Sequence, residues 1–285
     1  MRWPPGPGPH RYSRLCPVHL DASQRLREEA RLRLPWTFEA FVVAVLPGRG
    51  AGTPSSLVDF ETSMAPYRIR KYQERDRQRV LGLFSQGMLE HAPITFRHVL
   101  KLPQTFVLLL GGPLALFLAS GSWLLAFLAG LTLLAALRFL AKCPWSQYVD
   151  HSLRTDMCDI TKSYCSEPGS CFWVAECEGQ VVGTVGALPV EDPTLRNEQL
   201  ELFRLSVASE HRGQGIAKAL VRTVLQFARD QGYREVVLST TMLQHSALAL
   251  YQRMGFQKTR QYFAAKTGRL VCIRVFQLTY RLPSA

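Results

Sequence analysis

Residues 105–137 form a run of 33 amino acids without a single charge, rich in Leu, Ala, Phe and Gly. About 20 such residues suffice to cross a bilayer, whereas helices of globular domains average only about 10–14. The chain therefore joins a folded domain to a membrane segment. As one helix the run would reach about 50 Å, well beyond a hydrocarbon thickness of about 30 Å. The triplet Ser120-Gly121-Ser122 divides it into two halves of about 22 Å each, which suits a re-entrant hairpin. The alternative is a single span with some flanking residues drawn in. Both flanks are basic, with Arg97 and Lys101 before and Arg138 and Lys142 after, and basic flanks prefer the cytosol. A hairpin satisfies that preference at both ends.

The remainder of 285 residues leaves room for one domain of ordinary size. Its formal charge of +12 is spread along the chain without an aromatic-plus-basic signature, so nucleic acid is not an expected partner. An anionic membrane surface and an anionic cofactor account for the excess better. Seven cysteines show neither a CxxC pair nor zinc-like Cys/His spacing; no metal is expected, and the thiols read as free, in a reducing compartment.

Residues 1–63 carry Pro/Gly-rich stretches and read as a flexible extension, with Met64 a candidate alternative start. Residues 64–104 hold a first strand near Tyr67 and a helix that Asp76 caps, with Val80, Leu81, Leu83 and Phe84 on one side. After the apolar insert, residues 138–285 form the main domain. Residues 145–164 read as a helix, and Glu178-Gly179 separates two β-rich runs as a hairpin. Strands then alternate with helices over residues 201–280. The expected class is α/β, a mixed central sheet with helices on both faces.

The chemistry lies in residues 201–255. A strand ending at Val207 runs into a glycine turn and directly into a helix, where free N–H groups and the positive end of the helix dipole converge. Such a site binds pyrophosphate; Gly213 and Gly215 let the backbone approach it and Arg212 adds charge. A bare Gly-x-Gly turn is weak evidence. Arg212-x-x-Gly215-x-Ala217, however, resembles the acetyl-CoA motif of the GCN5-related N-acetyltransferase superfamily. Gln244-x-x-Ala247-x-x-Leu250-Tyr251-x-x-x-Gly255-Phe256 matches its second motif, with Gln244 where Asn is usual.

That resemblance implies an acetyl-CoA-dependent N-acetyltransferase of that superfamily's fold. Main-chain groups of Leu205 and Val207 would hold the pantetheine arm, and Arg212, Gly213, Gln214, Gly215, Ile216, Ala217 and Gln244 would complete the acetyl-CoA site. Tyr251 would protonate the departing thiolate, a phenol of pKa about 10 being a competent donor to a thiolate of about 8.5. Outside this motif it would read as a core tyrosine. Glu201 is the candidate general base, expected on the side of the strand that carries Phe203, Leu205 and Val207; a solvated surface glutamate is the plainer reading.

The apolar insert, the segment Glu90-His91-Ala92-Pro93 and the run Leu109-Leu110-Gly111-Gly112-Pro113 are similar to the camello-like N-acetyltransferases, from Met64 to the C-terminus. This family implies an endoplasmic-reticulum membrane enzyme, in or near the ER–Golgi intermediate compartment, that acetylates the α-amine of S-substituted cysteines to mercapturic acids. The lipid bilayer and a small-molecule amine are then the partners. Relatives acetylate lysines of secretory-pathway proteins, the second reading; a silent acyl-CoA-binding protein is the third. The catalytic domain is expected on the cytosolic side.

Overall fold

The computed structural model describes residues 67–263 and 272–283, so the readings of residues 1–63 and of Met64 lie outside the described residues. Strand β1 (Tyr67–Lys71) leads through a short turn into α1 (Arg77–Leu89) and α2 (Ala92–Leu100). The apolar insert forms α3 (Pro103–Ser120) and α4 (Trp123–Arg154), followed by the single turn α5 (Ile160–Tyr164). Then come β2 (Cys171–Cys177), β3 (Gln180–Pro189), β4 (Gln199–Val207), α6 (Ile216–Asp230), β5 (Glu235–Thr241), α7 (His245–Arg253), β6 (Gln257–Phe263) and β7 (Arg274–Arg281). The strands make one sheet in the order β1-β2-β3-β4-β5-β7-β6, antiparallel except for β4–β5, which the crossover helix α6 joins in parallel. This is the mixed sheet with helices on both faces that the sequence predicts.

Local chemistry explains the elements. Glu178 and Gly179 both have positive φ, 50° and 77°, the requirement of a two-residue hairpin between β2 and β3. Val80, Leu81, Leu83 and Phe84 of α1 are buried. Asp76 serves differently from the predicted helix cap: its carboxylate accepts from the Gln73 N–H at 3.0 Å and pairs with Arg70 at 2.6 Å, closing the preceding turn. The two faces of the sheet can be told apart at two glycines of β3. A Cβ on Gly183 would press on Ile216 and Leu220 of α6, whereas one on Gly186 would collide with Tyr164 of α5.

The apolar insert folds back on itself. Helix α3 ends at Gly121, left-handed at φ 64°, and Ser122 accepts the Leu125 N–H to start α4. Gly112 lies beside Leu133 and Gly130 beside Pro113, so the two helices pack side by side. Both are long and apolar enough to cross a membrane. Of the large apolar side chains left exposed among the described residues, every one except Phe263 belongs to α3 or α4. A surface of that extent is not left to water in a stable monomer.

Two expectations need correction. Residues 145–164 are not a separate helix, because α4 runs unbroken through Pro144 to Arg154. One missing N–H costs a single bond, and burial of Ala141, Trp145, Val149 and Leu153 against the domain holds the helix together. Nor are all cysteines free. Cys143, Cys165, Cys171 and Cys177 are, but Cys158 is disulfide-bonded, which removes the cysteine argument for a reducing compartment.

Candidate active site

Strand β4 passes through a short 3-10 turn, Ser209–His211, into the loop that opens α6. Gly213 and Gly215 both sit at φ 81°, and an added Cβ on Gly213 would meet nothing. Backbone conformation, not crowding, demands glycine there. Gly215 is the N-cap of α6 and no side chain caps the helix, so its first N–H groups are unclaimed at an exposed turn formed by Arg212, Gly213, Gln214 and Gly215. Ile216 is buried and anchors the helix, with Ala217 partly covered behind it. An open ring of N–H donors at the positive end of a 15-residue helix fits the pyrophosphate of acetyl-CoA. Arg212 also serves the chain itself: it pairs with Glu90 at 2.6 Å and donates to the Val207 carbonyl at 3.1 Å.

Beside this turn the sheet is split. β4 and β5 pair only from Gln199↔Glu235 to Glu201↔Val237, and beyond that point the strands part. The cause is a β-bulge: Thr184 faces Ser206 and Gly186 faces Phe203, so Arg204 and Leu205 together oppose Val185. Arg204 has φ 55°, a conformation costly for any residue but glycine. A bulge bends its strand and sharpens its twist. The resulting wedge leaves the β5-facing edge of β4 without a strand partner beyond Glu201, along the stretch that carries Leu205 and Val207; the Val207 carbonyl is the one that Arg212 reaches.

The bulge also overturns an expectation. Glu201 and Phe203 share the face of Gly186, but Val207 lies opposite Gly183, on the α6 face. Glu201 and Val207 are therefore on different sides of the strand. The extra residue resets the alternation on which the prediction depended.

Tyr251, on α7, is buried, with its ring edge-on to Phe256 at 5.6 Å between centroids. Burial alone pushes its pKa above the ordinary phenol value, so it keeps its proton at neutral pH. Gln244, the N-cap of α7, accepts from the Thr241 N–H at 3.1 Å and the Thr240 hydroxyl at 3.0 Å. Its amide nitrogen lies 3.4 Å from His91, whose ring leans on Trp145 of α4. Gln244 thus fixes the end of β5 where β5 forms the wedge wall.

Glu201 stands at the last paired position of β4, where the wedge begins, and borders a cavity of about 580 Å³. The floor is the face of β5, β7 and β6 carrying Val237, Thr279 and Gln257. Burial, reinforced by the nearby Glu191 and opposed by Arg204, raises the Glu201 carboxyl to about 7. Three residues not singled out in the sequence belong to this neighbourhood. The Tyr262 hydroxyl reaches Ser239 of β5 at 3.5 Å and feels the charge of Glu201. Arg260 enters the cavity wall next to Thr259 because a second bulge, between Lys258 and Arg260, turns both inward. Arg204 lies behind the wedge. Only the density of arginines and tyrosines in the strands hinted at them.

A phosphate cradle at a helix start, a wedge between parallel strands and a buried tyrosine on the following helix define an acetyl-CoA-dependent N-acetyltransferase. The Acetyltransferase (GNAT) family model matches residues 134–256. Human N-acetyltransferase 8B is 68% identical over 222 residues, covering 78% of this chain and 98% of its own length. Human N-acetyltransferase 8 is 67% identical with the same coverage. A GNAT family acetyltransferase from Elizabethkingia anophelis, solved with acetyl-CoA bound, is 21% identical over 43% of this chain and 82% of its own, at a TM-score of 0.36. The chain belongs to the N-acetyltransferase 8 family, the camello-like group.

Proposed function

We propose that the chain acetylates the α-amine of cysteine S-conjugates, giving mercapturic acids, on the cytosolic face of the endoplasmic-reticulum membrane. The observation that carries this reading is the cavity beside Glu201. It brings a carboxyl group of pKa about 7 to the mouth of the wedge and a guanidinium, Arg260, to its wall. The first suits an amine and the second a carboxylate, the two ends of an amino acid. The apolar hairpin offers a lipid phase for the thioether tail.

Acetyl-CoA supplies the activated acetyl group. The N–H groups of the 213–217 turn hold its pyrophosphate, and the main chain of Leu205 and Val207 orients its arm along β4. Glu201 takes the proton that the acceptor ammonium must lose before attack. Tyr251 gives its proton to the departing thiolate, and buried surroundings keep water from competing. An α-amine of pKa about 8 asks little of this base, whereas a lysine of about 10.4 asks far more, which favours the small-molecule acceptor.

Strands β1 and β2, which lie on either side of the insert in sequence, pair with each other. That pairing supports a hairpin whose two ends return to one side of a membrane, and Arg97, Lys101, Arg138 and Lys142 flank those ends. The test is release of free CoA by detergent-solubilised protein given acetyl-CoA and S-benzyl-cysteine, beside a panel of lysine peptides. Turnover of the peptides with none of the cysteine conjugate would replace this reading by the protein-lysine one.

A further inference from the structure

The most heavily tied charged group among the described residues is Arg204, at the bulge that opens the wedge. Its guanidinium donates to both oxygens of Asp156, at 2.9 and 2.6 Å, and to the Tyr148 hydroxyl at 2.6 Å. It also lies over the rings of Phe84 at 5.0 Å and Tyr148 at 5.2 Å. Tyr164 donates to the same Asp156 carboxylate. The Arg204 carbonyl accepts from the Thr184 hydroxyl at 2.9 Å, so both ends of the residue are held. Its side chain is 8% exposed and that of Asp156 is 19% exposed. Burial would raise the Asp156 carboxyl, but the charge and hydrogen bonds of Arg204 outweigh it and leave the group below its ordinary value. A desolvated pair of this kind is costly to build and yields little net stability over an apolar replacement.

The partners explain its use. Tyr148 sits on α4, the helix that continues the apolar hairpin, and Asp156 follows two residues after its end. Phe84 and Tyr164 belong to α1 and α5, which cover the same face of the sheet. A non-glycine residue at φ 55° does not hold itself there, and removing the clasp lets β4 relax toward regular pairing. We propose that Arg204 is a positioning residue for acetyl transfer: clasped by Asp156 and Tyr148, it fixes the β4 bulge, and with it the main chain of Leu205 and Val207, to the helix that rises from the membrane hairpin. The N–H groups of the cradle at residues 213–217 lie beyond the end of β4, joined to it by the bond from Arg212 to the Val207 carbonyl, and are not partners of the Arg204 clasp. The inference builds on the acetyl-transfer site described above.

The experiment uses the full chain in lipid nanodiscs, with acetyl-CoA and the acceptor that the wild type turns over fastest, and compares Arg204→Lys, Arg204→Met and Tyr148→Phe. A misplaced reacting centre costs up to about 100-fold in rate. We expect kcat to fall by about that factor in Arg204→Met and by about tenfold in Tyr148→Phe, with Arg204→Lys between them. The acetyl-CoA dissociation constant, read by tryptophan fluorescence, should stay within about threefold because the pyrophosphate contacts are untouched. Tyr148→Phe removes one hydroxyl and keeps the ring, so it reports even where Arg204→Met does not fold. Wild-type kcat in Tyr148→Phe and Arg204→Lys would overturn the inference. So would loss of kcat, acetyl-CoA affinity and melting temperature in proportion, the pattern of general destabilisation. A wild type that transfers no acetyl group to any acceptor would refute the catalytic reading itself and is told apart by that control.

Discussion

The wedge region and the apolar hairpin are built from one chain by opposite rules. Around β4 and α6 the apolar side chains go inward: Leu200, Ile216, Leu220, Val221 and Val224 are all at most 1% exposed, and what faces out is backbone N–H and charge. Along α3 and α4 the arrangement inverts. Leu110, Leu118 and Phe139 are 69%, 75% and 70% exposed, and the backbone is satisfied inside the helices. The first region finds its stabilising partner within the fold; on the proposed reading the second finds it in lipid. The proposed function uses both: a wedge for a soluble anionic substrate and a hairpin that would hold the site at an apolar phase.

Charging the hairpin is the strongest way to break this comparison. Each Asp near the middle of a membrane helix costs about 2.5–3.5 kcal/mol of insertion. Leu110→Asp, Leu114→Asp and Leu118→Asp together should move the protein out of the membrane fraction on flotation, while acetyl-CoA still protects the wedge against proteolysis. Loss of that protection would mean that the two regions fold as one.

Next in size is the acid. Tyr251→Phe removes the proposed proton donor, and such a donor contributes about 10²–10⁴-fold, so kcat should drop by at least about 100-fold without loss of acetyl-CoA binding. A pure binding module would be indifferent to this change. The cradle comes third. Gly215→Ala forces a side chain into φ 81° at about 1–2 kcal/mol, which should weaken acetyl-CoA by about tenfold in isothermal titration. The smallest effect is a control at an exposed surface pair. Arg196–Glu167 is a pair with side chains 51% and 65% exposed, and Arg196→Ala should shift chemical stability by less than about 0.5 kcal/mol.

Legibility in the sequence follows the physics of each region. Periodicity and turn chemistry sufficed for the sheet: the strand before Gly213, the Glu178-Gly179 turn and helix α6 fall where expected, because each is set by neighbours in sequence. Gly121 is likewise where the apolar run turns. The bulge at Arg204 was not legible, since one extra residue in a strand leaves no mark in composition yet moves Val207 to the opposite face from Glu201. Asp156 lies 48 residues from Arg204, and a strand arginine reads as a solvated charge until that partner is seen. Arg260 and Tyr262 were missed for a related reason, the second bulge on β6. Continuity of α4 through Pro144 was hidden because proline speaks for a break while tertiary burial keeps the helix whole.

The central claim, that acetyl transfer occurs at the mouth of the wedge with Glu201 as base, is tested most directly by the pH dependence of kcat/KM. The Glu201 carboxyl is raised to about 7, so the active carboxylate is lost as pH falls through that value. Wild-type rate should therefore rise with pH through two ionisations, near 7 for Glu201 and about 8 for the acceptor amine. Glu201→Gln should be slower at every pH and keep only the ionisation of the amine. If Glu201→Gln retains the wild-type rate and the limb near pH 7, the proton goes elsewhere and the assignment of this site is wrong.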